Sequence, residues 1–487
     1  MRSSEVLAIL RECQARAFRK RLTQYSKSNS NSPDIGMINR GLLVVRSIQV
    51  FRPISALFLA KITRMYAIFN FMLSLWSLLY ALVAGVLGLE APLAFVLDLS
   101  KPPISRWKGA VEKVLKRHPY EYSFGLVFRN HAPLFDMLTA AQRSGISSAV
   151  QIHYPDTAAE LMGISHEFAA LGHEDVTFEY LTLWLYFHEI AHTELHQYAS
   201  IDTRECTAVV AESAAGVMFH GGNMDQLPSA VRNLTLRVKF IDDAGKIVFE
   251  GVDWYTLLST GVSRAVKKGV ATVQENWRTT EPRPVAEVIA DIEAGVMPQM
   301  LVFRSLLTAA HAKPTSFSEF VAASTVVRLA APYYVIASGP DAGDGVVIAR
   351  NLTGSDGTAW LAEQGDRSAP GDFFLAQTNY DRWLPDSPSD PRRTDAERSL
   401  RGLGRDEGAS QLGLFAVVST YPVHNPHSAY TAIMSASTGE LHAYVRNAMC
   451  PVYQKPSDVK DRWQCWERAK GLAVDPQRES TGHVIRV

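Results

Sequence analysis

Two neighbouring stretches of this chain carry residues whose types and spacing can do chemistry. The first runs from Glu205 to Asp225 and opens on Cys206, followed by the apolar, β-branched run Thr207–Ala211. That run fits a buried strand, Glu212 to Gly216 a turn, and Val217–His220 the returning strand. Cys206 therefore stands at the head of a hairpin. Cutting the Glu205–Cys206 bond would make Cys206 a new N-terminus, with a thiol and an α-amine on one residue. That amine titrates near pH ~8 and can take the proton from its own thiol without a separate histidine base. The second stretch is His188-Glu189-Ile190-Ala191-His192, two imidazoles one helical turn apart around a glutamate. This is the spacing of a zinc-peptidase helix, and Glu212 falls near the place of a third ligand. A zinc metallopeptidase is thus the alternative from a different class. Against it, Glu212 reads as part of a turn between strands, whereas those enzymes carry that carboxylate on a second helix. The reading preferred for His188–His192 is the polar end of a packed helix, with no metal and no cofactor. His196 extends the same face.

The elements that must hold these residues fall into two parts. Between residues 90 and 205 the pattern is mostly helical after one strand at Leu93–Leu99. Helices are expected at Trp107–Arg117, at Leu134–Arg143, from Asp156, and from Val176 to about Tyr198 with Asp175 as cap. From Cys206 onward strands dominate: Leu234–Phe240, Lys246–Val252, Gly269–Glu275, Tyr333–Ala337, Gly345–Arg350, Asp372–Thr378, Tyr430–Ser435 and Leu441–Val445. Helices with proline starts fit Pro284–Ala294 and Pro298–Ala310, and Ser316–Glu319 has the form of a capping box. Pro385–Arg393 is a Pro/Asp/Arg loop. Strands in runs, with helices before and between them, predict an α+β layered domain.

The chain has 487 residues, 47% of them hydrophobic, and no net charge, so no overall field favours nucleic acid. Residues 1–64 hold twelve Lys or Arg against three Asp or Glu, which reads as a basic, disordered leader. Residues 65–89 are uncharged and strongly apolar, long enough for a signal anchor or a cleaved signal peptide. Either predicts entry to the secretory pathway. Of the four cysteines, Cys13 lies in the leader. Cys450 and Cys465 flank a polar loop and suit either a disulfide in an oxidising compartment or two free thiols. Asn233 and Asn351 each begin an N-glycosylation sequon.

Taken in order, the Cys206–Asp225 stretch, Ala331-Pro-Tyr-Tyr334, Gly345–Arg350, Gln377-Thr-Asn-Tyr-Asp-Arg-Trp383, Arg392-Arg-Thr394 and Tyr430–Ser435 resemble the family of acid ceramidase and N-acylethanolamine-hydrolysing acid amidase. These are N-terminal-nucleophile cysteine amidases. Upstream, Phe95–Leu99 with Arg106-Trp107 resembles their α-subunit. The resemblance implies an αββα sandwich formed by a β-subunit, residues 206–487, with a helical α-subunit, residues 90–205, wrapped on it. It implies cleavage between Glu205 and Cys206 and hydrolysis of a lipid N-acyl amide, ceramide ahead of an N-acylethanolamine. It also implies lysosomal residence and a membrane surface or lipid-presenting protein as partner. Cys206 would be the nucleophile, Asp225 would orient its amine, Asn379 would hold the oxyanion, and Arg392 and Glu275 would line the site. The chain departs from the family at Gly222 and Asn276, where the family has arginines, and in an apparent insertion from His192 to Glu205. The family's disulfide between subunits has no evident cysteine partners here.

Overall fold

The computed structural model describes residues 89–195, 206–308, 314–363 and 373–446. The basic leader, all of the apolar run except Leu89, His196, Glu205, and Cys450 and Cys465 lie outside the described residues. Among the described residues no helix is long and apolar enough to cross a membrane.

The upstream part begins with two strands, β1 (Leu89–Glu90) and β2 (Leu93–Asp98), and continues in helices. These are α1 (Ala110–Arg117), α2 (Phe124–Asp136), α3 (Ala140–His153), α4 (Pro155–Ala170), α5 (Phe178–Leu185) and α6 (Phe187–Ala191). Two of the expected helices differ. The helix expected at Leu134–Arg143 is the junction of α2 and α3, because Thr139 and Gln142 form a reciprocal capping box that starts a new helix. The long helix expected from Val176 is capped by Thr177 and breaks at Tyr186, which leaves helical geometry (φ −103°, ψ 19°). Its apolar circumference is real: Leu181 to Ala191 are all buried, but in two short helices.

Downstream come β3 (Thr207–Glu212), β4 (Met218–Asp225), β5 (Leu236–Ile241), β6 (Ile247–Asp253), β7 (Arg264–Lys267) and β8 (Ala271–Trp277). Three helices follow, α7 (Val285–Glu293), α8 (Gln299–Thr308) and α9 (Phe317–Val326), then β9 (Tyr333–Ser338), β10 (Gly345–Arg350), β11 (Ser355–Trp360) and β12 (Phe374–Gln377). The last described elements are α10 (Arg392–Gly408), α11 (Gln411–Val418), β13 (Ser428–Ser435) and β14 (Glu440–Arg446).

The strands form two sheets. One runs β1-β14-β13-β4-β3-β12, the other β11-β10-β9-β8-β7-β6-β5-β2. All pairings are antiparallel except β2 on β5. The layering follows from strand period two. In β3, Ala208 and Val210 pack between the sheets with Tyr334, Ile336 and Val347. Val209 and Ala211 point the other way, onto Leu400, Leu414 and Val418 of α10 and α11. Both faces of β3 are therefore covered, which is why it reads as an unbroken apolar run rather than an alternating one. The outer face of the eight-stranded sheet packs on the upstream helices and α8 and α9, in one core that includes Trp107, Phe168, Trp184, Val238, Phe303 and Phe320. The result is helix, sheet, sheet, helix: an α+β sandwich of four layers.

Candidate active site

Cys206 sits just ahead of β3, at the open end of the seam between the sheets. The β3–β4 register pairs Thr207 with Asn223 and Ala208 with Gly222. Carried one step further, it sets Cys206 beside Met224, and Cys206 Sγ lies 3.5 Å from Met224 Sδ. The cysteine is 1% exposed and has φ +72°. That is the left-handed region, which costs a residue with a Cβ on the order of 1–3 kcal/mol. Strain is thus stored one bond from Glu205.

Arg392 ties the other predicted residues to this point. It begins α10, and Asp390 just before the helix grips it as a fork, accepting from Nε at 2.6 Å and from Nη2 at 2.7 Å. So fixed, Arg392 Nη1 donates to the Cys206 carbonyl oxygen at 2.9 Å and lies 3.5 Å from Asp225 Oδ2. Its Nη2 donates to Asn379 Oδ1 at 2.9 Å. Because guanidinium only donates, this bond settles the orientation of the Asn379 amide. Asn379 Nδ2 donates to Trp277 O at 2.9 Å, and its second N–H makes no hydrogen bond among the described residues. Asp225 ends β4 and accepts from Ser428 Oγ at 2.5 Å and Asn425 Nδ2 at 2.9 Å. Burial pushes its carboxyl above the ordinary range, outweighing the Arg392 charge and those hydrogen bonds. Burial also works against the Arg392 charge. Its hydrogen bonds to Asp390 and the charge of Asp225 overcome it and hold the guanidinium above its usual range.

Cys206, Asp225, Asn379 and Arg392 are therefore one hydrogen-bonded group with a thiol, an amide donor, a carboxylate and a fixed cation. Glu275 is not part of it. Gln274 and Asn276 face the six-stranded sheet, donating to Thr207 O at 3.1 Å and Gln377 O at 3.0 Å. Alternation turns Glu275 to the opposite face of β8, where its Oε1 is 3.7 Å from His188 Nε2. This close pair is not an ion pair. Burial raises Glu275 to about 8 and lowers His188 to about 3, so both are neutral between those limits. A cavity of about 30 Å³, room for one water, lies beside them, lined by Met224, Asp253, Ser263, Trp277 and Gln299.

The zinc reading does not survive the geometry. Glu212 ends β3, where Arg405 and the Gly343 N–H hold its carboxylate. His192 stacks flat on Trp277, with ring centroids 3.6 Å apart. The three proposed ligands do not converge, and no group of three or more His, Cys, Asp or Glu among the described residues could hold a metal ion.

Several residues at the site had no signal in the sequence. Of the partners of Asp225, Asn425 lies in the loop before β13 and Ser428 begins that strand, and Asp390 belongs to the Pro385–Arg393 loop with nothing to single it out. Arg393, the neighbour of Arg392, is buried beside Asp386, 3.0 Å away. The sequon residues are on the surface side of the fold. Asn233 Nδ2 donates to Tyr122 O at 2.8 Å and Asn351 Nδ2 to Asp356 at 2.6 Å.

No protein-family model matches the chain. Over 243 residues it is 30% identical to the N-acylethanolamine-hydrolyzing acid amidase of Oryctolagus cuniculus, covering 49% of this chain and 63% of that protein. Over 367 residues it is 25% identical to the amidase of the same name from Caenorhabditis elegans, covering 74% of this chain and 94% of the relative. Human acid ceramidase is 28% identical over 263 residues, covering 50% and 62%. The matched segment thus spans less than two thirds of the mammalian relatives. The solved C. elegans ortholog of the amidase is 27% identical, covers 48% of this chain and 93% of its own, and superposes with a TM-score of 0.41. The described strands and helices form the α+β layering expected from the sequence. By these matches the chain is similar to N-acylethanolamine-hydrolyzing acid amidases and to acid ceramidases.

Proposed function

We propose that this chain is the precursor of a lipid amidase that cuts itself between Glu205 and Cys206. The carrying observation is the hydrogen-bonded group in which Arg392 holds the Cys206 carbonyl, Asp225 and Asn379 together at the head of β3. In the first step the Cys206 sulfur adds to the Glu205 carbonyl, the peptide bond breaks, and a thioester remains that water hydrolyses. The strained φ of Cys206 favours leaving that ground state. The α-amine so released takes the thiol proton and is oriented by Asp225. The thiolate then adds to the carbonyl carbon of an N-acyl amide, and the carbonyl electron pair moves to oxygen, where the second N–H of Asn379 stabilises it. Collapse breaks the C–N bond, and the leaving amine takes its proton from the Cys206 ammonium. Water releases the fatty acid from the thioester and returns the thiol.

The substrates are ceramide or an N-acylethanolamine, met at a membrane surface or on a lipid-presenting protein in the lysosome or the secretory pathway. The names of the relatives support the class of substrate. Residues 90–205 and 206–487 act as the α- and β-subunits, with the basic leader and the apolar 65–89 run as the secretory signal, a Cys450–Cys465 disulfide, and glycans at Asn233 and Asn351. Mass spectrometry of the protein after acid incubation with an acyl-donor probe tests the reading. A new chain beginning at Cys206, carrying the acyl group on that residue, supports it. A chain that stays whole yet hydrolyses substrate, or activity lost to a chelator and spared by thiol alkylation, refutes it. Competition between a ceramide and an N-acylethanolamine ranks the two.

A further inference from the structure

Arg264 opens β7 and is fully buried. In the β7–β8 register it is opposite Gln274, so it shares the face of the eight-stranded sheet that looks across at β3 and β4. There Nη2 donates to the Asn223 carbonyl and Nη1 to the Tyr430 hydroxyl, both at 2.7 Å. Asn223 pairs with Thr207, so these bonds aim the guanidinium at the strand positions beside Cys206. Its Nε–H makes no hydrogen bond, and among the described residues no carboxylate forms a salt bridge with it. Burial of a cation without an anion costs several kcal/mol. Arg392, by contrast, is already gripped by Asp390 and engaged with Asp225 and Asn379.

Position 222 on β4 has no room for a side chain. A Cβ at this position would lie 2.1 Å from Gln274 Oε1 and 2.6 Å from Thr207 O. Gln274 occupies that space, donating to Thr207 O at 3.1 Å and to Asn276 at 2.7 Å. No side chain can reach Cys206 from position 222 on β4. The neighbouring strand of the opposite sheet supplies one instead.

We propose that Arg264 is the cation that stabilises the Cys206 thiolate, reaching it from β7 across the seam where Gly222 leaves β4 without a side chain. This rests on the reading of Cys206 as nucleophile. It makes Arg264 a catalytic residue of that reaction, facing the reacting sulfur, while Arg392 holds the backbone and the amide donor. The proton balance is unchanged: the thiol proton goes to the α-amine, and Arg264 keeps its own. Burial works against the Arg264 charge, and Tyr430, the Cys206 thiol and Asp253 overcome it, so the guanidinium stays charged. The titratable groups that interact with Arg264 are Tyr430 on β13, Asp253 on β6, His220 on β4 and, from the opposite face of β8, Glu275; Arg392 on α10 and Asp225 on β4 stand on the backbone side of Cys206.

The test is the pH titration of thiolate ultraviolet absorbance, taken as the difference between each mature protein and its C206A counterpart, which stays uncut but keeps every other absorbing group. The subtraction removes the other cysteines and needs no access of a reagent to the buried site. The wild-type midpoint should lie below the free-thiol value of about 8.5. Arg264→Gln should raise it by at least one unit, a roughly tenfold loss of thiolate on the acid side. Arg264→Lys, which keeps a point charge, should recover part of the shift. An unchanged midpoint in folded R264Q, or a wild-type midpoint at or above the free-thiol value, overturns the proposal. The second outcome stands even where neither variant folds. A thioester on Cys206 with an unmoved R264Q midpoint sinks Arg264 and leaves the amidase reading intact. Undiminished amide hydrolysis by C206A sinks the reading of Cys206 as nucleophile itself.

Discussion

Replacing Glu275 with glutamine turns a buried acid into a permanent copy of its neutral form, and the effect on stability is a function of pH. Burial raises this carboxyl from 4.5 to about 8. The folded state therefore binds the proton more tightly than the unfolded chain does. The associated stability is fully present below pH 4.5 and is lost as pH rises toward 8. A shift of about 3.5 units at 1.36 kcal/mol each is on the order of 5 kcal/mol. The amide has no such proton to lose, so Glu275→Gln should match the wild type, up to a constant offset, at pH 4.5. It should then gain on it by roughly 1.4 kcal/mol per unit up to about pH 8. Urea unfolding of both proteins across this range measures the difference directly, and the constant offset from the new amide cancels. Parallel stability curves would show that Glu275 is ionised in the fold, and the argument from burial would fail. Curves that diverge in the opposite sense would mean that a cation pairs with Glu275, which the 3.7 Å approach of a neutral His188 does not provide.

The remaining predictions concern the Cys206 group. Arg392→Met leaves Asp225 and Asp390 buried without their shared cation and should cost about 3–5 kcal/mol in urea unfolding, with Arg392→Lys recovering only part because it lacks the fork. Asn379→Ala should lower kcat by roughly 10²–10³ with little change in KM, the signature of a lost oxyanion donor. Gly222→Ala puts a methyl 2.1 Å from Gln274 Oε1 and 2.6 Å from Thr207 O, and should destabilise by about 1–3 kcal/mol in thermal melts. Gly222→Ala with Gln274→Ala should recover only the share owed to the side chain, because Thr207 O is backbone.

The hairpin at Cys206 could be read from composition because β3 is covered on both faces, which leaves a run of apolar residues too short for a helix. The end of β4 could not. Gly221-Gly222-Asn223 has the composition of a turn, yet the strand continues through it to Asp225. The two glycines are strand residues because their neighbours fill the room a Cβ would take: Ile433 and Leu414 beside Gly221, Gln274 beside Gly222. Such crowding comes from other strands and a helix, so nothing local announces it. Tyr186 is the same case in reverse. The helical periodicity from Phe178 onward is genuine, but the break is made by tertiary packing of Tyr186, whose hydroxyl donates to Val296 O at 3.0 Å. The HExxH pattern is ambiguous in sequence because spacing places two imidazoles on one helical face but says nothing about what they face, here Trp277 and Glu275. Arg264 was invisible because a four-residue strand has too short a pattern to show which way its arginine points.

Residues 89–98 finish one edge of each sheet, β1 beside β14 and β2 beside β5. A break in the backbone ahead of Cys206 therefore creates two polypeptides but not two separable bodies. To part, they would have to unzip both sheet margins and expose Trp107, Phe168 and Trp184, which share their core with Val238 and Phe240. A chain cut there would need no covalent tether between its fragments, because the weave itself is the tether.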